Sequence, residues 1–178
     1  DDPQPYHSFG NGAAMRISAV GFAARSRNEV KALSRAVTAI SHDHPEGLKG
    51  AESVAMAIFL ARQSKTKQQI RGYIEQNYYK IGFTLDEIRG TYEFNETCQN
   101  TVPQAFEAFF EAKDFEDAIR NAVSVGGDSD TLAAITGSIA EAYFGIPFDL
   151  RKKAESYLDN DAFRPIHTWL KRFEKMFP

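Results

Sequence analysis

From Lys49 to Arg62 the chain is apolar nearly all round, and Val54 to Ala61 is an uninterrupted run of eight apolar residues. A surface helix keeps a polar face, so a segment without one belongs in the middle of a domain. Eight residues are far too few to cross a bilayer, which needs about 20. The segment therefore predicts a central helix that other helices must surround.

The rest of the chain supplies them. Asn28 is placed to cap a helix with the stripe Val30, Leu33, Val37 and Ile40, a 3-4-3 spacing that repeats on one helical face. Thr66 opens a helix bearing Ile70, Tyr73, Ile74 and Tyr78; Thr101 opens one bearing Val102, Ala105, Phe106, Phe109 and Phe110; Asp114 opens one bearing Phe115, Ala118, Ile119, Ala122 and Val123. An apolar helix follows Gly126-Gly127-Asp128-Ser129-Asp130-Thr131 to about Tyr143, and Gly145-Ile146-Pro147 stops it. Asp149 and Asp161 cap two last helices, the second carrying Phe163, Ile166, Leu170, Phe173 and Phe177. Tyr92-Glu93-Phe94 is the only strand candidate and sits in a loop context. These patterns define an all-α fold, a compact orthogonal bundle of seven to nine helices, with Gly47–Arg62 and Asp128–Tyr143 at its core.

A chain of 178 residues fits one domain. The net charge of −3 provides no broad field for nucleic acid. Cys98 is the single cysteine, so no internal disulfide forms, which fits a cytoplasmic protein. Its neighbours Thr97, Gln99 and Asn100 are uncharged, which reads as a structural thiol, not a nucleophile. Asp1 to Pro5 has neither the basic nor the apolar region of a signal peptide.

Three segments carry possible chemistry. Ser8-Phe9-Gly10-Asn11-Gly12-Ala13-Ala14-Met15-Arg16 places two glycines around an asparagine just before a helix start near Ala13. Left-handed backbone there would turn successive N–H groups toward a phosphate; spacing alone favours an ordinary tight turn. Ser41-His42-Asp43-His44-Pro45-Glu46 reads as a transition-metal set or, more simply, as a capping turn with Ser41 or Asp43 as cap and Pro45 in the first helical turn. In Gly126 to Thr131, Asp128 and Thr131 share a helix face and Asp130 reaches from the first turn. Oxygen donors of this kind suit Mg²⁺. A well-capped helix with an acidic first turn explains the same residues equally well.

Together and in this order, Gly10 to Arg16, Ser41 to His44 and Gly126 to Gly137 resemble the ADP-ribosylglycohydrolase family of the dinitrogenase-reductase-activating type, from about Pro5 to Leu158. The resemblance implies a hydrolase that releases ADP-ribose from a modified target by Mg²⁺-dependent cleavage of a glycosidic bond. Two Mg²⁺ ions occupy a complete family site, with Mn²⁺ as an alternative. Asp128, Asp130 and Thr131 correspond to the C-terminal metal ligands. Ser8, Phe9, Gly10, Asn11, Gly12, Ala13, Met15 and His42 correspond to the ADP-ribose site, the loop cradling the pyrophosphate, Phe9 stacking on adenine and His42 lining the pocket.

The family's N-terminal ligand set and catalytic carboxylate have no counterpart in this sequence, since Asp1-Asp2 is followed by Pro3 and framed by no threonine. The resemblance thus implies one domain over residues 1–178, incomplete at its N-terminus, with the catalytic residue unassigned. It implies ADP-ribose or an ADP-ribosylated protein as partner, a second chain or copy to complete the fold, and neither membrane nor nucleic acid. Helices from the missing part are expected to cover Val54–Ala61, leaving it exposed in this chain. A non-catalytic ADP-ribose-binding module and a structural or regulatory helical domain remain the alternatives.

Overall fold

The computed structural model describes residues 4–158 and, beyond them, Pro165, Thr168 and Arg172. Among the described residues there are ten named helices and no strand, and an isolated antiparallel bridge joins Gly10 to Thr97. Residues Asp1–Gly145 form one compact unit and Ile146–Pro178 a second. The first holds α1 (Gly12–Met15), α2 (Ser18–Ala23), α3 (Arg27–Thr38), α4 (Pro45–Arg62), α5 (Lys67–Asn77), α6 (Leu85–Ile88), α7 (Cys98–Glu111), α8 (Phe115–Ser124) and α9 (Ser129–Phe144). The second holds α10 (Phe148–Glu155).

The central helix is α4. Its residues Ser53 to Ala61 are all buried, enclosed by α1, α2, α3, α5, α7 and α9. The expected exposure of Val54–Ala61 is therefore corrected: helices of this chain cover the segment. Burying side chains such as Met56, Ile58 and Phe59 contributes about 1.5–3 kcal/mol each. Small residues let neighbours approach. A Cβ on Gly21 of α2 would lie 2.6 Å from Ile58 Cβ, and one on Gly50 would lie 2.6 Å from Cys98 Sγ.

Local chemistry sets the helix ends. Thr66 and Gln69 form a reciprocal capping box on α5, Thr84 and Glu87 another on α6, and the Asp114 carboxylate caps α8. Pro45 takes the first position of α4, but the cap is His44, whose Nδ1 accepts the Glu46 N–H at 3.1 Å, instead of Ser41 or Asp43. α3 is capped by Ser26, two residues before Asn28. Its buried face runs through Val30, Ser34 and Thr38, so the expected stripe fails at its end, with Val37 and Ile40 exposed. α7 begins at Cys98, because Asn95 Oδ1 accepts from both the N–H and the hydroxyl of Thr97 and turns the chain early. Thr101 is consequently buried inside α7.

Gly145, at φ +75°, ends α9 in a conformation that favours glycine. α10 is capped by Pro147, and Asp149 lies in its first turn. The helix expected after Asp161, with Phe163, Ile166, Leu170, Phe173 and Phe177, lies outside the described residues. No helix among the described residues is long and apolar enough to cross a membrane.

Candidate active site

The segments before α1 and α9 meet through one side chain. Asn11, almost fully buried, donates from Nδ2 to Asp128 Oδ2 at 2.6 Å, Thr101 Oγ1 at 3.1 Å and the Asn95 carbonyl at 3.3 Å. An amide nitrogen carries two hydrogens, so the three acceptors share them, and the charged Asp128 takes the strongest bond. The Asn11 N–H donates to the Glu96 carbonyl at 2.7 Å, and the Cys98 N–H to the Phe9 carbonyl at 3.0 Å. The loop is thereby laid against the start of α7. A second link runs from Thr131 Oγ1 to Met15 Sδ at 3.5 Å.

Asp128 is the N-cap of α9 and Asp130 stands in its first turn. Contact with the Asp128 carboxyl, then the Thr131 N–H at 2.8 Å, holds the exposed Asp130 carboxyl below the ordinary carboxylate range. Gly126 and Gly127, at φ +82° and +62°, make the turn that feeds this pair. Gly127 also needs the space: a Cβ there would lie 2.5 Å from Tyr92 Cε1. The Tyr92 hydroxyl donates to the Asn100 carbonyl at 2.8 Å, which fixes the ring over the turn. Among the described residues, no three His, Cys, Asp or Glu side chains gather as a metal group. The oxygen donors here are two carboxyls and the buried Thr131 hydroxyl.

Gly10 and Gly12 are not in left-handed backbone, which corrects the first expectation about them. What they leave is space beside His42, at ordinary contact distance for a Cβ. A Cβ on either would stand 3.5 or 3.6 Å from His42 Nε2. The N–H of Gly10 is directed to Ser8 Oγ at 3.2 Å. His42 is buried; its Nδ1 lies 3.0 Å from Arg16 Nη2 and 2.8 Å from Ser41 Oγ. Burial first, then the Arg16 charge, lowers its pKa from the usual imidazole value. Among the described residues, His42 and His44 belong to no group of three or more His, Cys, Asp or Glu side chains that could hold a metal ion, and the Nδ1 of each makes a local contact instead. Ala13 is buried beneath the loop, while Phe9 is 43% exposed, its ring 5.1 Å from that of His44.

The sequence reading named Asn11, His42 and Asp128 but passed over the framework that joins them: Tyr92, Asn95, Glu96, Thr101 and Arg16. Arg16 stood inside a quoted motif; Thr101 was read only as a helix cap and Tyr92 only as part of a strand candidate, and no motif marked Asn95 or Glu96.

This all-α fold, with its glycine loop tied to a helix-start carboxylate pair, defines a class. The chain belongs to the ADP-ribosylglycohydrolase family, whose sequence model matches residues 1–175. It is 27% identical over 203 residues to the Homo sapiens protein named ADP-ribosylhydrolase ARH3, covering 86% of this chain and 56% of that relative. It is 28% identical over 153 residues to an uncharacterized protein of Archaeoglobus fulgidus, covering 76% of this chain and 50% of that one. A solved structure described as an ADP-ribosylglycohydrolase-related protein complex matches with a TM-score of 0.66 and 25% identity, over 82% of this chain and 54% of that one. The chain thus spans about half the length of the relatives it matches.

Proposed function

We propose that this chain serves the hydrolysis of a glycosidic bond between ADP-ribose and a modified target, with Mg²⁺ held by Asp128, Asp130 and Thr131. Family membership supports the reaction class. The observation that carries the site is the 2.6 Å contact between Asn11 and Asp128, which sets the glycine loop beside the carboxylate pair. Two carboxyls in contact and a neighbouring hydroxyl are hard donors that fit Mg²⁺ or Mn²⁺. When bound, such an ion orients ribose hydroxyls and polarises water.

The chain's own residues do the binding. Phe9 offers an exposed ring for the adenine face. The loop Ser8 to Gly12 receives the pyrophosphate, with Ala13 and Met15 behind it and His42 along its side. Asn11 holds Asp128 in place through a charge-assisted bond. Cleavage passes through an oxocarbenium-like state, as in other glycoside hydrolyses. A cytoplasmic setting belongs to the same proposal and agrees with the buried free thiol of Cys98.

A second reading, an ADP-ribose-binding module without turnover, draws support from the donor count. Two Mg²⁺ ions carry four positive charges, and two carboxylates leave them strongly repelling. One ion is then expected to bind weakly, and further ligands from a second chain or copy would be needed for the second. The test is Mg²⁺ titration of the chain, ADP-ribose calorimetry, and release of ADP-ribose from modified arginine and serine peptides. Slow Mg²⁺-dependent release supports hydrolysis; binding without release supports the module. No ADP-ribose binding refutes both and leaves a structural or regulatory domain. Two tight Mg²⁺ sites with rapid turnover would overturn the argument from donor count.

A further inference from the structure

His42 Nδ1 faces two polar groups. Arg16 Nη2 lies 3.0 Å away, and the Ser41 hydroxyl, 2.8 Å away, itself lies 2.7 Å from the same guanidinium nitrogen. A guanidinium has no acceptor, so a proton on Nδ1 would confront an N–H. Ser41 Oγ can either donate or accept, so the guanidinium decides: beside it an accepting Nδ1 is favoured, and in the neutral ring the proton then sits on Nε2. Nε2 is the atom that faces Gly10 and Gly12, in the space where their Cβ atoms would stand. The N–H groups of Gly10 and Asn11 are already committed to Ser8 Oγ and the Glu96 carbonyl. An anion entering the loop therefore meets the imidazole N–H as a ready donor.

We propose that Arg16 is a positioning residue: by donating to His42 Nδ1 it holds the imidazole in the tautomer whose Nε2–H points into the Gly10–Gly12 loop, where it donates to a phosphate oxygen of the bound nucleotide. The ligand part of this statement rests on the ADP-ribose reading above; the tautomer does not. Arg16 is the charged group set against the ring. The other neighbours are Ser41, the Tyr6 ring edge with centroids 6.0 Å apart, and Gly47 of α4 packed at the His42 Cβ. Arg16 itself is exposed, so replacing it spares the core. Its charge and the burial of the ring both disfavour imidazolium. The sign follows: His42 titrates below the ordinary histidine value, so the neutral ring predominates at the pH where a free histidine is half protonated.

The experiment is ¹⁵N NMR of the histidine rings from pH 5 to 8 in the 178-residue chain and in Arg16→Met and Arg16→Lys, with ADP-ribose calorimetry on each. His42 in the wild type is expected to show the Nε2–H tautomer and to titrate below the ordinary value. Arg16→Met is expected to mix the tautomers, to raise the His42 midpoint, and to weaken ADP-ribose binding about tenfold, the effect of one lost charge-assisted bond. Arg16→Lys, which still donates, is expected to restore much of the tautomer bias. A wild-type ring protonated on Nδ1, or an Arg16→Met spectrum unchanged from wild type, would overturn the tautomer. Unchanged ADP-ribose affinity in Arg16→Met, with the tautomers mixed, would overturn the donor role. If the wild type binds no ADP-ribose while the tautomer pattern is as stated, the nucleotide reading fails and the donor role with it, but the Arg16–His42 arrangement stands.

Discussion

Replacing Asn11 by alanine removes the side chain on which the site is assembled. Its carboxamide serves three acceptors, one of them charged, from a position 7% exposed. A hydrogen bond to a charged group contributes about 1.5–3 kcal/mol and a neutral one about 1 kcal/mol. Two hydrogens cannot fill three bonds, and water reaches the partly exposed Asp128 in the variant. Both facts bring the expected loss to about 2 kcal/mol. For a domain of this size that lowers Tm by roughly 4–8 °C.

Asn11→Asp sharpens the test. It sets a second carboxylate against Asp128, a repulsion of up to about 4 kcal/mol at 4 Å for an effective dielectric of about 20, and less where water and salt reach the pair. That variant should be less stable than Asn11→Ala at pH 7. One carboxyl of such a pair has a raised folded pKa, so its penalty is absent below the unfolded pKa and appears as pH rises through the folded one. The gap to wild type should therefore narrow toward pH 4, and Mg²⁺ at pH 7 should narrow it too. Urea or thermal unfolding monitored by circular dichroism reads all three proteins. Asn11→Ala within about 0.5 kcal/mol of wild type, or equal stability of the two variants at pH 7, would refute the assignment of Asn11 as the link.

Gly127→Ala should cost about 1–3 kcal/mol, since it combines φ +62° with a Cβ 2.5 Å from Tyr92; an unchanged unfolding midpoint would contradict this. Cys98→Ser should leave stability and ligand binding nearly intact, because a hydroxyl can still donate to the Gly10 carbonyl as the thiol does at 3.2 Å. Burial pushes the native thiol up to about 12, so iodoacetamide at pH 8 should modify the folded protein far more slowly than the unfolded one, and equal rates would sink the point. Gly12→Val should weaken ADP-ribose binding about tenfold or more while shifting Tm little, because branched bulk would enter the space beside His42 Nε2; calorimetry showing wild-type affinity in a folded variant would remove this loop from the site.

Much of the fold was legible from local patterns. The all-round apolar run located α4; Thr66, Asp114, Pro45 and Gly145 marked ends that local hydrogen bonds and backbone geometry alone determine. The failures share a cause. Asn28 and Thr101 are reasonable caps in isolation, but Ser26 and the Asn95–Thr97 turn intercept the chain first. Val37 and Ile40 satisfy helical spacing, yet the neighbours of α3 receive the Val30–Ser34–Thr38 face. Thr84 and Glu87 formed a readable box that the sequence analysis passed over. At the candidate site, Asp128 and the glycine loop stood out by residue type and by the order of the motifs that hold them. Tyr92, Asn95 and Glu96 did not: Tyr92 acts by ring placement, and toward Asn11 the other two offer only backbone carbonyls, although the Asn95 side chain also sets the start of α7.

The Asn11–Asp128 bond spans 117 residues of sequence and the Met15–Thr131 contact spans 116. Closing so long a loop must be compensated by contacts that already hold its ends near each other. Helix pairs close in sequence, such as α8 with α9 or α3 with α4, can form early because their loops are short. The site belongs to the other end of the process. On a ribosome the glycine loop emerges long before its partner and must wait until Thr131 has been translated. The Asn11–Asp128 link is therefore expected to form late in folding, and in a refolding experiment any capture of ADP-ribose should lag behind the recovery of helical signal.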